Sequence, residues 1–342
     1  MSEVKLKLTA ATDVGLARQN NEDNFTVCAN LDKPEWIIPQ AGDYADLGEY
    51  GSLLVVADGM GGANAGEVAS AIAVETIQNA FVPEKLSEVV GDDHLIQQFL
   101  TDTVKTADIN ILNRSEQDET TRGMGTTIVM AWLLGRRAYV CWCGDSRCYV
   151  YRSKGGLIRL SKDHSYVQGL IDRGELHPDM AIEHPLSNVI TRCLGNSENR
   201  AEPETKIYEL RSGDMLLLCT DGLCGLCTDS QIEEVIKDHK EDINTCRNEL
   251  ISAALNAGGD DNVTVALCSV MVEGEEAEED TNSDTTAEET TDDEAKELSS
   301  TVRNVAVSKT GKKIWYILLS VLIIIAGIIC CIIYWHNKGM TA

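Results

Sequence analysis

Acidic residues recur at the ends of apolar runs in this 342-residue chain. Leu53, Leu54, Val55, Val56 and Ala57 lead into Asp58, and Gly59, Gly61 and Gly62 crowd the turn that follows. A second apolar run over 214–220 ends at Asp221-Gly222, while Gly144-Asp145 and Asp260-Asp261 stand beside further apolar runs. Hard divalent cations take several oxygen ligands, and separate strands can supply them at one edge of a sheet. Taken alone, Asp58 is equally a helix cap or a ligand beside a phosphate-binding turn. A Gly-Asp pair such as Gly144-Asp145 is also ordinary hairpin chemistry. Upstream, Arg18, Glu22 and Asp23 lie in a polar stretch before a short apolar run. Arg18 reads either as a planar fork for phosphate oxygens or as one half of a surface ion pair. Glu22 and Asp23 face either the pocket of Asp58 or solvent.

The elements that must position these groups follow from periodicity. Alternation predicts an edge strand over 4–11, and the continuous apolar run predicts a buried central strand over 53–57. Ala69, Ile72, Ala73, Ile77 and Ala80 predict a helix over 65–81, stopping before Pro83. Ile96, Leu100, Val104, Ala107 and Ile111 predict another over about 93–115. Strands are predicted over 127–134, 138–143, 148–152, 214–220 and 263–270. Further helices should start at Asp163-His164-Ser165, start near Ser230, and cover 246–257. Residues 30–50 read as a loop, and 188–195 as irregular and mobile.

Composition narrows the function classes. The formal net charge of −26 argues against a nucleic-acid partner. Twelve cysteines have no framework spacing, and residues 1–9 alternate charged and apolar side chains, unlike a secretory signal. Both features indicate reduced thiols in the cytosol. Cys224 and Cys227 form a C-x-x-C pair with no second pair beside it, so they read as core residues rather than a zinc or redox site.

Eight short motifs then stand in a telling order: Asp13-x-Gly15-x-x-Arg18-x-x-Asn21-Glu22-Asp23; Val56-Ala57-Asp58-Gly59-Met60-Gly61-Gly62; Gly123-Met124-Gly125-Thr126-Thr127; Gly144-Asp145-Ser146-Arg147; Asp163-His164-Ser165; His184-Pro185; Asp221-Gly222; and Asp261-Asn262-Val263-Thr264. In this set and order the chain resembles the metal-dependent type 2C Ser/Thr protein phosphatases in their bacterial form, over residues 4–271.

The resemblance implies an α+β fold, a four-layer α-β-β-α sandwich of two antiparallel sheets flanked by helices. It implies two Mn²⁺ or Mg²⁺ ions bridged by Asp58. The Gly59 carbonyl would bind the first ion, and Asp221 and Asp261 the second. Glu22 and Asp23 would act on or near the metals, partly through water, and Asp145 would bind a weaker third ion. Arg18 would hold substrate phosphate, and residues 165–195 would form a flap near the site. The implied reaction is in-line attack on phosphorus by a hydroxide bridging the two ions, with no phosphoenzyme. Three positions depart from the family pattern. Ala63 and Met60 stand where relatives carry His, which leaves the proton donor unassigned, and Gly225 stands where many relatives have a second Asp.

The chain continues past this domain, assigned to residues 1–272. Residues 273–313 form an acidic linker expected to be disordered, with 13 acidic side chains against one lysine over 273–297. Residues 314–335 carry no charge and would span roughly 33 Å as a helix, enough for a bilayer core. Trp315, Tyr316, Tyr334 and Trp335 sit at its ends, and Lys309, Lys312 and Lys313 precede it. This pattern predicts a single-pass transmembrane helix, with the catalytic domain cytoplasmic and residues 336–342 a short tail. The expected partners are phosphorylated proteins, among them a membrane Ser/Thr kinase, and the catalytic domain is expected to be monomeric. The competing readings are an inactive phosphoprotein-binding scaffold on the same fold and a hydrolase of small phosphoesters or pyrophosphate.

Overall fold

Every residue of the run Ser52–Ala57 is buried, yet its side chains divide by parity. Leu53, Val55 and Ala57 join one apolar core, and Leu54 and Val56 another. A strand sends successive side chains to opposite faces, so a strand apolar throughout must be covered on both. The structure, a computed structural model, describes residues 4–38, 44–61 and 65–275 and follows that logic.

The strands, in chain order, are β1 (Val4–Asp13), β2 (Asn24–Cys28), β3 (Ala45–Asp46), β4 (Ser52–Ala57) and β5 (Gly59–Met60). Helices α1 (Gly66–Ala80), α2 (Pro83–Leu86) and α3 (Asp93–Gln117) follow. Next come β6 (Gly125–Thr126), β7 (Ile128–Leu134), β8 (Arg137–Cys143), β9 (Arg147–Arg152) and β10 (Gly156–Arg159). The rest is α4 (Tyr166–Asp172), β11 (Glu204–Glu209), β12 (Met215–Cys219), α5 (Asp221–Cys224), α6 (Asp229–His239), α7 (Ile243–Asn256) and β13 (Val263–Val272).

Two antiparallel sheets result, ordered β10-β9-β12-β13-β1-β3 and β11-β8-β7-β4-β2. Three apolar cores separate four layers. Ile77 of α1 and Leu100, Val104 and Ile111 of α3 pack with Ile128, Met130 and Trp132 of β7. The opposite parity of β7, Val129, Ala131 and Leu133, meets Leu216, Leu218, Ala266 and Cys268 of the facing sheet. On the far side, Leu217, Val265 and Leu267 pack with Ile232 and Ile236 of α6 and Leu250 of α7. The expected α-β-β-α order is therefore present as antiparallel sheets flanked by helices.

Local chemistry fixes where the helices begin. Asp92 accepts from the N–H groups of His94 and Leu95, Ser165 caps α4, and Thr228 with Gln231 forms a capping box on α6.

Several details correct the sequence reading. β1 is not an edge strand. It pairs along its whole length with β13, and on its other side Lys5 and Leu6 pair with Asp46 and Ala45. A two-residue strand inside a Pro- and Gly-containing loop leaves no periodic trace. The four-residue β10 is too short, and β11 too polar, to show a period of its own, and α2 begins at the Pro83 that reads as a stop. Asp221, where the predicted strand ends, opens the one-turn helix α5. Most of the linker, the expected transmembrane span, the tail and Ala63 lie outside the described residues. Among the described residues no helix is long and apolar enough to cross a membrane.

Candidate active site

Asp58 leaves the end of β4 and is held through its backbone. Its carbonyl accepts from the Thr127 N–H at 2.8 Å and the Thr126 hydroxyl at 2.9 Å, and its own N–H donates to Thr127 Oγ1 at 3.1 Å. Thr127 Oγ1 is also 2.7 Å from Ser146 Oγ, which ties the Asp58 turn to the turn carrying Asp145. Gly59 has no room for a side chain: a Cβ would overlap the carbonyl oxygens of Gly66 and Glu22. That close approach brings the start of α1 and the Glu22–Asp23 segment against Asp58.

Asp23 precedes β2 and receives two hydroxyls on Oδ2, from Thr220 at 2.9 Å and Thr264 at 2.6 Å. Thr220 immediately precedes Asp221, and Thr264 lies on β13, so strands of both sheets meet at one carboxylate. Asp58 and Asp221 lie close enough that the charge of Asp221 bears directly on the Asp58 carboxyl. Asp221 Oδ1 is buried without a hydrogen-bond partner. Asp145 is buried beside them, lining a small cavity with Asp221, Arg147, Asp163 and Gly225 under residues of the 165–195 stretch.

Electrostatics follow from this crowding. Asp58 keeps part of its surface open to the cleft, but protein surrounds it elsewhere and hydrates its charge poorly. Desolvation, then repulsion by Asp221, Asp23 and Asp145, holds its carboxyl well above the ordinary range. Burial and then Asp261 push Asp221 up, and burial and then Asp221 push Asp145 up. Burial raises Asp23 to about 7 against the two hydroxyls that favour its charged form.

A cluster of this kind fits divalent cations: all donors are oxygen, the charges repel, and one buried carboxylate oxygen is orphaned. Among the described residues no three His, Cys, Asp or Glu side chains already form a closed shell around one point. Hard ions also draw on backbone carbonyls and water, so carboxylates gathered without a closed shell remain suitable.

Arg18 and Asp261 stand apart from the buried carboxylates, and Arg18 takes the ion-pair geometry that is one of its two sequence readings. They pair, with Arg18 Nη2 2.7 Å from Asp261 Oδ2, and both remain substantially exposed. Such exposed pairs contribute about 0–1 kcal/mol, so the guanidinium can leave Asp261 for a phosphate at small cost. Glu22 sits at the same rim, its carboxyl raised by burial and partly offset by Arg18.

Among the described residues ten cysteines are free thiols. Cys224 and Cys227 belong to the apolar core under α6 and α7. Burial pushes Cys143 and Cys246 up to about 12 and raises Cys141, Cys148 and Cys268 as well. Thiols of this kind make poor nucleophiles. A groove of about 790 Å³ lies between α1 and α3, and none of the clustered site aspartates lines it.

The profile of the protein phosphatase 2C family matches residues 42–258. The chain is similar to the serine/threonine phosphatase stp of Listeria innocua, at 32% identity over 268 residues that make up 78% of this chain and 97% of that protein. It is similar to the serine/threonine protein phosphatase PstP of Mycobacterium tuberculosis, at 34% identity over 78% of this chain and 45% of that protein. Among solved structures, the catalytic domain of PstP in complex with two manganese ions resembles it at 32% identity and a TM-score of 0.62, covering 78% of this chain and 99% of that one. The Streptococcus agalactiae serine/threonine phosphatase does so at 29% identity and 0.66, covering 77% and 99%.

The chain belongs to the protein phosphatase 2C family. It is a metal-dependent Ser/Thr protein phosphatase.

In this phosphatase Asp23, Asp58, Asp145 and Asp221 come together, while Asp261, Arg18 and Glu22 form the rim. Gly225, at the end of α5, rests on Asp221: a Cβ there would lie 2.6 Å from the Asp221 carbonyl oxygen. A side chain at 225 would have to displace the turn that aims Asp221. Sequence reasoning passed over the supporting groups of the phosphatase. Thr220 reads as an ordinary strand residue and Thr264 only as the last letter of a motif. Asn262 was visible only as a motif letter, yet its amide makes three hydrogen bonds. His164 reads as a helix lead-in, yet its Nδ1 accepts from the Gly144 N–H at 3.1 Å beside Asp145.

Proposed function

We propose that this phosphatase hydrolyses phosphoserine and phosphothreonine in proteins, with Asp58, Asp221, Asp261 and the Gly59 carbonyl holding two Mn²⁺ or Mg²⁺ ions. When bound, the ions would acidify water and neutralise phosphoryl charge. The observation that carries this reading is the cluster of mutually repelling carboxylates around Asp58, with the orphaned Asp221 Oδ1 among them. Asp23, steadied by two hydroxyls, would keep its charge on one side of the ions and orient ordered water. Glu22 would act at the rim in the same sense. Asp145 would hold a third, weaker ion, with Gly225 in place of a second carboxylate. Arg18 would exchange Asp261 for two phosphate oxygens in one plane.

The same reading extends to the rest of the chain. Residues 314–335, uncharged and ended by aromatics, would anchor the protein in the cell membrane as a single helix. The lysines preceding that segment favour a cytoplasmic catalytic domain, which would work as a monomer on phosphorylated proteins, membrane Ser/Thr kinases included.

Hydrolysis of an aryl phosphate and of a phosphothreonine peptide by wild type and Asp58→Asn, with Mn²⁺ supplied, tests the reading. The expected result is manganese-dependent turnover of both substrates by wild type and nearly none by the variant. A variant that turns over like wild type would overturn the assignment. Turnover of nucleotides or pyrophosphate but not of the peptide would shift the substrate class.

A further inference from the structure

We infer that Asn262 is a positioning residue for phosphate binding, because its amide fastens the loop that carries Arg18; the inference rests on the reading of Arg18 given above. Asn262 is buried at the entrance to β13. Its Nδ2 donates to the carbonyl oxygens of Val14 at 2.9 Å and Asn20 at 3.0 Å, and its Oδ1 accepts from the Glu22 N–H at 2.8 Å. A primary amide offers two donors and one acceptor oxygen. Here both donors and the acceptor go to one segment, residues 14–22, that is remote in sequence.

The three bonds bracket Arg18, with Val14 before it and Asn20 and Glu22 after it. The loop's other ties are single bonds from separate groups: Asn21 Nδ2 donates to Thr12 Oγ1 at 2.7 Å and the Ser70 hydroxyl to the Glu22 carbonyl at 2.7 Å, both beyond Arg18. The N–H groups of Leu16 and Ala17 reach the Gly259 carbonyl at 2.7 and 3.3 Å, and the Gly15 N–H reaches Asp13 Oδ1 at 2.8 Å. Leu16 itself is 70% exposed. Gly15 has φ +77°, and a Cβ there would overlap the Asp261 carbonyl, so the loop lies directly on the backbone next to Asp261. That seating decides where the Arg18 guanidinium can reach. Without the Asn262 amide, the carbonyls of Val14 and Asn20 can turn to solvent. The loop would then populate several positions, and phosphate binding would carry the added entropy of ordering it. Asp261 keeps its own link to the same turn, because the Asn262 backbone N–H donates to Asp261 Oδ1 at 2.8 Å whatever the side chain.

The test uses the full chain and two substitutions, Asn262→Ala and Asn262→Ser, each alone and with Arg18→Ala. Amide hydrogen exchange is followed together with KM and kcat for an aryl phosphate and the inhibition constant of inorganic phosphate. The expected result is a rise in KM and in the phosphate constant of about tenfold, with kcat changed by less than about threefold. The Leu16, Ala17 and Glu22 amides should exchange faster while β13 keeps its protection. In the Arg18→Ala background the Asn262 substitutions should add little further. Unchanged exchange over 14–22, general loss of protection reaching β13 in both variants, or a KM effect that persists undiminished without Arg18 would each overturn the inference. An Arg18→Ala protein with wild-type KM would remove the reading beneath it. Failure of the inference itself looks different: Arg18→Ala raises KM and Asn262→Ala does not.

Discussion

Asp58 and Asp261 both stand at strand ends in the same cleft, and their surroundings are opposite. Asp58 is held by three hydrogen bonds through its backbone, and its carboxyl is crowded by Asp221, Asp23 and Asp145. Asp261 is 36% exposed and already paired with Arg18. The floor of the cleft crowds carboxyls that repel one another, and the Arg147 charge only partly offsets this at Asp145 and Asp221. The rim balances its charge with an arginine and stays open to solvent. The floor is therefore suited to cations, which neutralise it, and the rim to an anion, which competes for Arg18. The difference also separates rate from affinity: damage at the floor should abolish turnover, and loss of Arg18 from the rim should weaken substrate binding.

Metal removal gives the largest expected effect. Treating the full chain with a chelator should abolish hydrolysis of an aryl phosphate, and added Mn²⁺ should restore it. Steady-state assays before and after chelation check this, and activity that survives exhaustive chelation would break the contrast between floor and rim.

A substitution at the rim comes next. Arg18→Ala removes a charge-assisted fork from a partly solvated site, so KM should rise by about tenfold to a hundredfold while kcat changes less. Were kcat to collapse with KM unchanged, Arg18 would belong with the floor.

The pH dependence of stability sharpens the comparison further. Each floor carboxyl is raised above its ordinary value, with Asp23 near about 7. A group with a raised folded value contributes stability that is present below its unfolded pKa and lost as pH rises through the folded one. His164 runs the other way, since burial lowers its folded value and its contribution is lost as pH falls through it. Four carboxyls outweigh one histidine, so the chelated protein should melt at lower temperature at roughly pH 8 than at roughly pH 5.5, and Mn²⁺ should remove that trend. Thermal scans across this range are the measurement, and a chelated protein that gains stability toward pH 8 would contradict the charge assignment of the floor.

The smallest expected effect on chemistry comes from the tail. β13 completes its ladder with β1 at the Val4–Val272 pair, so a chain truncated after residue 272 should keep aryl phosphate turnover close to that of the full chain. With residues 314–335 as the proposed anchor, it should leave the membrane fraction in cells, because the removed residues include that uncharged 22-residue run. Fractionation paired with a soluble assay distinguishes the outcomes, and truncated protein that stays on the membrane would place the anchor elsewhere.

Much of this architecture was legible because strands buried on both faces are apolar at consecutive positions. Residues 53–57 and 128–133 announce themselves that way, and α1 and α3 show their helical spacing plainly. β3, β10 and β11 did not, since short or polar strands take their pairing from neighbours rather than from a pattern of their own. Asp58, Asp145 and Asp221 could be found as acidic residues at the ends of apolar runs, and Asp23 only within its motif. Their helpers could not, because Thr220 and Thr264 look like any β-branched strand residue and their partner Asp23 is 197 and 241 residues away. The Arg18–Asp261 pair spans 243 positions and has no local signal. Asn262 has one faint clue, a polar amide at the mouth of an apolar strand, where a buried side chain must find partners.

The central claim is that the floor built on Asp58 holds divalent cations. Calorimetric titration of Mn²⁺ into chelated protein tests it most directly, because it reads binding rather than turnover. Wild type should bind about two ions, consistent with a floor of several carboxylates, and Asp58→Asn should lose both while staying folded by circular dichroism. An Asp58→Asn protein that binds Mn²⁺ with wild-type stoichiometry and affinity would contradict the account.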